Sequence, residues 1–408
     1  MKDTYDLRMI TSLFLGTSAI LSFAQDPVVQ GIIDAVEIDS MMHYVVQMDG
    51  EEPVDLGAGP VTIVNRNSFH EGNAMAQEYY EQKFASFGYT PVIQSSSTTG
   101  RNVLVTKTGL VHPEINVILC AHYDAFPGAL FAGPAADDDG SGCGAVLEAA
   151  RILHDIPFEC TIIFALWDEE EQGKLGSLYY AGQFAGNDAD IRGVINMDAI
   201  AYDGNGDRKA RVHARNVANS LAVKDTVVAV LDRYAIDLDL LVTMPGETYS
   251  DHASFWSNGY SAVLMIEEFD DDGNPHYHTQ TDLVQYFDVP YYEKLAKLSI
   301  ASAATLAVPF DIMSGMEVTV VTADQRLTVH PNPTVGDAMA WFEVAKTDRY
   351  RVALLNTLGQ EVVVLHDGML AVGGHGISLP LSIAPAGAYT VVVRSAGEFH
   401  SFQVLRIP

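Results

Sequence analysis

Acid and imidazole side chains follow four short apolar runs of this chain. His122 and Asp124 come after Ile115 to Ala121, Glu169 to Glu171 after Cys160 to Leu166, Asp198 after Val194 to Met197, and His276 and His278 beyond Ala262 to Ile266. A fifth group, Asp137-Asp138-Asp139-Gly140-Ser141-Gly142, stands directly before a helical pattern. Imidazoles and carboxylates together are the nitrogen and oxygen donors that suit zinc. A centre of that kind activates water and polarises a carbonyl, so metal-assisted hydrolysis is the chemistry indicated. Each group alone says little, because carboxylates at strand ends and helix starts are commonly solvated caps. Their combination carries the signal.

The runs that precede these groups are short, β-branched and nearly all apolar, which fits strands covered on both faces. Between them lie segments of helical period: Ala76, Tyr80, Phe84 and Phe87 share one face, as do Val146, Ala149, Ala150 and Leu153. From about Thr62 to Phe310 the pattern predicts an α/β domain with a largely parallel sheet. In such sheets ligands bind outside the carboxyl ends of the strands, so the groups can converge in space. After Gln325 the runs are short, alternating and punctuated by turn residues, which predicts a small antiparallel sandwich over 327–408. Residues 311–326 read as a linker. Gln25 to Gly59 reads as a prosegment, a cover over the site or part of the domain, and the sequence leaves these three open.

Of the 408 residues, 48% are hydrophobic, which excludes a collagenous or wholly disordered chain. Against 53 Asp and Glu stand 23 Lys and Arg, a net charge of −30. Nucleic acid and anionic membrane are therefore not expected partners, since phosphate neutralisation needs basic side chains. The apolar run Met9 to Phe23, ending in Ser22-Phe23-Ala24, predicts a cleaved signal peptide over 1–24, although Asp3 and Asp6 offset Lys2 and Arg8. No later run approaches the roughly 20 apolar residues of a spanning helix. Cys120, Cys143 and Cys160 are too few for a disulfide scaffold and read as buried free thiols. Ser250-Asp251-His252 is not read as a serine triad, because triads assemble from distant positions and no G-x-S-x-G elbow is present. Asp270 to Asp272 reads as a solvated acidic loop.

The ordered series Ala121-His122-Tyr123-Asp124, Ala136 to Gly142, Glu169 to Ser177, Asn196-Met197-Asp198 and Tyr277 to Asp282 resembles family twenty-eight of the metallopeptidases, the co-catalytic zinc aminopeptidases. The resemblance spans about residues 60 to 310. It implies a zinc-exopeptidase (phosphorylase/hydrolase-like) fold, with a mostly parallel, mixed central sheet flanked by helices. It implies two zinc ions, one held by His122, Asp137 and Asp198 and the other by Asp137, Glu171 and His278, with Asp137 bridging. Glu170 matches the general base, a role that typically contributes about 100- to 10,000-fold. Gly173 and Gly176-Ser177 favour Glu170 and Glu171 over Glu169 as the working pair. Tyr277 matches a position that in some relatives hydrogen-bonds the tetrahedral oxyanion, and Asp251 belongs to a motif that supports the substrate pocket. Asp138 and Asp139 are expected as loop and helix N-terminal charges. From its spacing, Asp124 is expected to accept the second ring N–H of His122.

The tail resembles the C-terminal sorting domain of the type IX (Por) secretion system. Pro331-Asn332-Pro333-Thr334, Val352 to Asn356 with Gly359, and Pro385 to Tyr389 match its blocks, whereas the end, Leu405-Arg406-Ile407-Pro408, departs from the usual Lys-rich strand. This implies secretion, or display at the cell surface, through the periplasm of a Gram-negative bacterium and a partnership with the secretion machinery. The expected activity is removal of the N-terminal residue from peptides with a free N-terminus. A one-zinc glutaminyl-cyclase-like transferase and a non-catalytic secreted binding protein are the alternatives.

Overall fold

The computed structural model describes residues 25–126, 133–185, 190–309, 327–356, 361–395 and 399–407. The expected signal peptide, 1–24, and the expected linker, 311–326, lie outside the described residues. The first unit begins with α1 (Pro27–Asp34), α2 (Ile38–Met48), β1 (Val54–Asp55), β2 (Pro60–Val61), α3 (Glu71–Ser86), β3 (Val92–Ser95), β4 (Arg101–Lys107) and β5 (His112–His122). A π-type turn (Ala136–Ser141) leads into α4 (Gly142–Leu153), β6 (Cys160–Trp167), α5 (Leu175–Ala185), β7 (Asp190–Met197) and β8 (Lys209–His213). It closes with α6 (Ser220–Tyr234), β9 (Asp239–Thr243), α7 (His252–Ser257), β10 (Ala262–Glu267) and α8 (Val289–Ala307).

Eight strands form one mixed sheet in the order β3-β4-β6-β5-β7-β10-β8-β9. Its centre, β6-β5-β7-β10, is parallel, while the β3–β4, β4–β6 and β8–β10 pairs are antiparallel. The apolar runs are apolar throughout because both faces are covered. Val117, Leu119 and Ala121 of β5 enter the larger core with residues of α1 to α4, α6 and α8, whereas Ile118 and Cys120 enter a second core with Tyr180 of α5 and Phe255 of α7. Strand β6 repeats the division, with Ile162, Phe164 and Leu166 on one side and Ile163, Ala165 and Trp167 on the other. All three cysteines are buried and free.

The segment 25–59 packs into the domain: Val29 and Ile32 of α1 and Met41, Tyr44 and Met48 of α2 are buried in the larger core. Asp26 caps α1 by accepting the Val28 and Val29 amides, and Asp288 caps α8 by accepting that of Tyr291. The tail contains β11 (Leu327–His330), β12 (Ala338–Val344), β13 (Asp348–Leu355), β14 (Glu361–Leu370), β15 (Gly373–Leu379), β16 (Gly387–Arg394) and β17 (Phe399–Arg406). They form two antiparallel sheets, β11-β12-β15 and β14-β13-β16-β17, around one core that includes Phe342, Val352 and Val391.

Candidate metal centre

The parallel strands bring their carboxyl ends together, as the sheet rule requires. His122 is the last residue of β5, Asp198 follows β7, Glu170 and Glu171 follow β6, and His278 comes from the loop after β10. One carboxylate joins them. Asp138 Oδ1 lies 3.1 Å from His122 Nε2, and its Oδ2 lies 3.0 Å from His278 Nε2. Asp198 Oδ1 is 3.7 Å from His122 Nε2, and Glu171 Oε1 is 3.3 Å from His278 Nε2. Two donor groups result, His122–Asp138–Asp198 and Asp138–Glu171–His278, with the ligand atoms of each group within 4.8 Å of one another.

The shared position is thus Asp138, which corrects the expectation for Asp137. At Asp138 the backbone is extended (φ −102°, ψ 91°), so the two neighbouring side chains leave the chain in different directions. Asp137 turns away to accept the Ala201 amide at 2.9 Å and the Asn274 side-chain amide at 3.0 Å. Asp282, the acid that closes Thr279-Gln280-Thr281-Asp282, accepts the amides of both Asp137 and Asp138 and so holds the turn in place. Asp139 does act at the helix start: its carboxylate accepts the amides of Gly142 and His122, linking α4 to the end of β5.

Asp124 also departs from expectation. His122 Nδ1 lies 3.2 Å from the backbone carbonyl of Asp124 and 3.6 Å from its carboxylate. That carboxylate accepts instead the amides of Glu170 at 2.9 Å and Glu171 at 3.2 Å, so it positions the β6 loop against the β5 loop. Glu169 turns aside to Thr99, leaving Glu170 and Glu171 at the centre, and adopts a left-handed backbone (φ +59°). Ala135, Ala199 and His278 are left-handed too. Non-glycine residues in this conformation are uncommon and concentrate at functional sites.

His278 is sandwiched between Phe126 (ring centroids 4.0 Å apart) and Tyr277 (3.8 Å), which fixes its plane. Nothing in the sequence singled out Phe126, because an aromatic after a strand has no spacing signature. His276 hydrogen-bonds Thr281 and stacks on Tyr286, outside both donor groups. Asp251 is fully buried and accepts the Ser177 hydroxyl. Ser250 accepts from Asn196, and His252 Nε2 contacts the Glu247 carbonyl, so these three residues form no hydrolytic triad.

The electrostatics express crowding of acids. Burial, reinforced by Asp251, Asp198 and Glu171 against a lowering by His122, pushes the Glu170 carboxyl well above the usual range. Burial, with Asp138 adding, raises Glu171 to about 7. Burial disfavours a charged His278, but the Asp138 and Glu171 carboxylates outweigh it and hold the imidazole up to about 10. His122 is likewise raised well above its ordinary value, with Asp124, Asp138 and Asp198 overcoming burial. Glu171 Oε1 is buried and lacks a well-directed hydrogen bond, its 3.3 Å contact being with a His278 Nε2 that also faces Asp138. A buried carboxylate oxygen left in this way, facing a shared carboxylate and two imidazoles, fits the donor set of a pair of divalent cations.

Residues 102–303 match the family model described as Peptidase family M28. A probable leucine aminopeptidase of Trichophyton verrucosum is 30% identical over 208 residues, which are 49% of this chain and 55% of that protein. The chain spans about half the length of the first curated relatives it matches. The LapA aminopeptidase of Legionella pneumophila shares the fold at 20% identity and a TM-score of 0.59, over 75% of this chain and 77% of that one. A glutaminyl cyclase of Fimbriiglobus ruber does so at 18% identity and a TM-score of 0.52, over 66% of this chain and 95% of that one.

Proposed function

From the shared fold and the two joined donor groups, we propose that this chain is a secreted exopeptidase that hydrolyses the N-terminal residue from peptides at a two-zinc centre. The observation that carries the proposal is the single carboxylate, Asp138, in contact with both imidazoles. His122 and Asp198 would hold one cation, Glu171 and His278 the other, and Asp138 would be shared. Zinc at these positions supplies Lewis-acid polarisation of the scissile carbonyl and makes the attacking water more acidic.

The rest is the work of the protein's own groups. Glu170 lies beside a ligand but in neither donor group, and its burial raises its proton affinity, as suits a base that takes a proton from water and passes it to the leaving amine. To Tyr277, partly exposed and stacked on His278, we assign the hydrogen bond to the developing oxyanion. The surplus of carboxylates around the centre favours a substrate whose amino end is free and cationic. Export follows from the proposed signal peptide over 1–24 and sorting through the 327–408 sandwich, with the secretion machinery as partner.

Both leucine aminopeptidases and a glutaminyl cyclase are among the similar proteins, so the fold alone does not choose between hydrolase and cyclase. The second imidazole contact of Asp138 favours two cations over one. The test is metal analysis of purified mature protein together with aminoacyl anilides and N-blocked controls. Two zinc per chain, cleavage only of substrates with a free amino group and loss of cleavage in a strong chelator are expected. One zinc per chain with cyclisation of N-terminal glutamine would replace the proposal by the cyclase. Full cleavage in chelator would remove it.

A further inference from the structure

Outside the donor groups, one cation is enclosed at the base of the centre. Arg66 has no exposed surface, and its guanidinium is surrounded by backbone carbonyls. Nε donates to the Tyr123 carbonyl at 2.8 Å, Nη1 to those of Met48 and Pro134, each at 2.7 Å, and Nη2 to that of Ala135 at 2.7 Å. Tyr123 stands between His122 and Asp124, and Pro134-Ala135 leads directly into the turn that carries Asp138. One side chain therefore ties together the two stretches of backbone that deliver His122 and Asp138, 3.1 Å apart, to the first group. It also ties both to the end of α2.

The backbone around Arg66 repeats the arrangement. Its carbonyl accepts the Ala125 amide at 3.3 Å, while the Val64 carbonyl accepts the Gly133 amide at 3.0 Å. Asn67 donates to the Ala125 carbonyl at 3.0 Å. A Cβ at Gly133 would stand 2.9 Å from Asn65 Oδ1, so the segment Val64 to Asn67 sits wedged between the two stretches with no room for a side chain there. Arginine suits this place because its planar fork offers five fixed donors over a wide arc, whereas a lysine ammonium offers three from one point.

We propose that Arg66 is a positioning residue of the metal centre: its guanidinium closes the neck formed by Tyr123 and Pro134-Ala135, and so sets the separation of His122 from Asp138. The effect on cation binding rests on the function proposed above, but the closure of the neck does not. The experiment uses the full mature chain, stripped of metal and then reloaded with zinc, and compares Arg66→Lys with Ile32→Ala. Ile32 is a fully buried residue of α1, far in sequence from the neck, and its truncation serves as a loss of stability without loss of the clamp.

Three quantities are read. In metal-free protein, amide exchange in peptides covering 121–126 and 133–141, taken relative to peptides of the central strands, should be at least about tenfold faster in Arg66→Lys, whereas Ile32→Ala should speed the neck and the central strands by the same factor. Zinc affinity by chelator competition should fall roughly 10- to 100-fold in Arg66→Lys only, the range seen when a group supporting a ligand is lost. In the reloaded enzyme kcat should fall while KM stays within about threefold, since the cleft itself is untouched. A parent-like ratio of neck to core exchange and parent-like zinc affinity in Arg66→Lys, or an equal change of that ratio and of zinc affinity in Ile32→Ala, would overturn the proposal. If Arg66→Lys does not fold, the parent protein decides: its Ala125 and Gly140 amides should exchange only through global unfolding, and exchange by local opening would overturn the clamp. If the parent binds no zinc and cleaves no peptide, the proposed function fails, and the exchange measurement still judges the neck.

Discussion

Exchanging each of two adjacent acids for its amide separates a donor from a support. Asp138 makes contacts of 3.1 and 3.0 Å with two imidazoles that its own charge helps to keep protonated in the metal-free protein. Each charge-assisted contact is worth about 1.5–3 kcal/mol. The pair, about 3–6 kcal/mol, measures what this carboxylate does for positive charge at that place, and at about 1.4 kcal/mol per factor of ten it corresponds to roughly 100- to 10,000-fold in cation affinity. Asp138→Asn should therefore bind zinc weaker by that factor and lose cleavage with it. Asp137 accepts two neutral amides and faces the buried carboxyl of Glu267, which burial and Asp137 itself hold protonated and hydrogen-bonded to it. An amide there keeps one acceptor and touches neither imidazole, so Asp137→Asn should stay within about tenfold, the scale of one neutral hydrogen bond. Chelator competition on both full-length variants reads the affinities, and aminoacyl anilide cleavage runs in parallel. In metal-free protein, nuclear magnetic resonance should show the His278 imidazole brought down from about 10 by Asp138→Asn. Loss of zinc in Asp137→Asn with retention in Asp138→Asn would refute the assignment.

Glu170→Gln should keep both cations and lower turnover by at least about 100-fold, read by metal analysis beside kcat; unchanged turnover would move the base elsewhere. Both imidazoles are held protonated without metal, His278 up to about 10, and must be neutral to bind it, so loading at pH 7 should release protons and affinity should rise between pH 6 and 9. Calorimetry in buffers of different ionisation enthalpy checks this, and zero release would count against the donor groups. Asp49, at the C-terminal end of α2, is raised to about 7 by burial. Because the folded state keeps that proton where the unfolded state has lost it, stability falls as pH rises from about 4 to about 7. Asp49→Asn should match the parent near pH 4 and exceed it at pH 8, by up to about 4 kcal/mol at about 1.4 kcal/mol per pH unit, in denaturant melts at the two pH values. Equal stability at pH 8 would contradict it.

The central strands were legible because both of their faces are buried, which leaves continuous apolar runs such as Cys160 to Leu166. Strands β3 and β9 were not, since as partly exposed edge strands they carry no such run. Helices α3 and α4 showed their buried stripes at Ala76, Tyr80 and Phe84 and at Val146, Ala149 and Leu153. The tail's alternation and turns announced its strands in the same way, among them Ala338–Val344 and Gly387–Arg394.

Sequence by itself determined which acid and imidazole groups follow neighbouring strands: His122, Glu171, Asp198 and His278 all lie where the sheet's carboxyl edge brings them together. Only the tertiary structure decided between Asp137 and Asp138, because adjacent residues differ in direction rather than in type. That direction is set by backbone angles held from far away, by Asp282, Asn274 and the guanidinium of Arg66. The work of Asp124 on the Glu170 and Glu171 amides and of Phe126 on the His278 ring belongs to the same class: contacts across long stretches of chain, which no local spacing encodes.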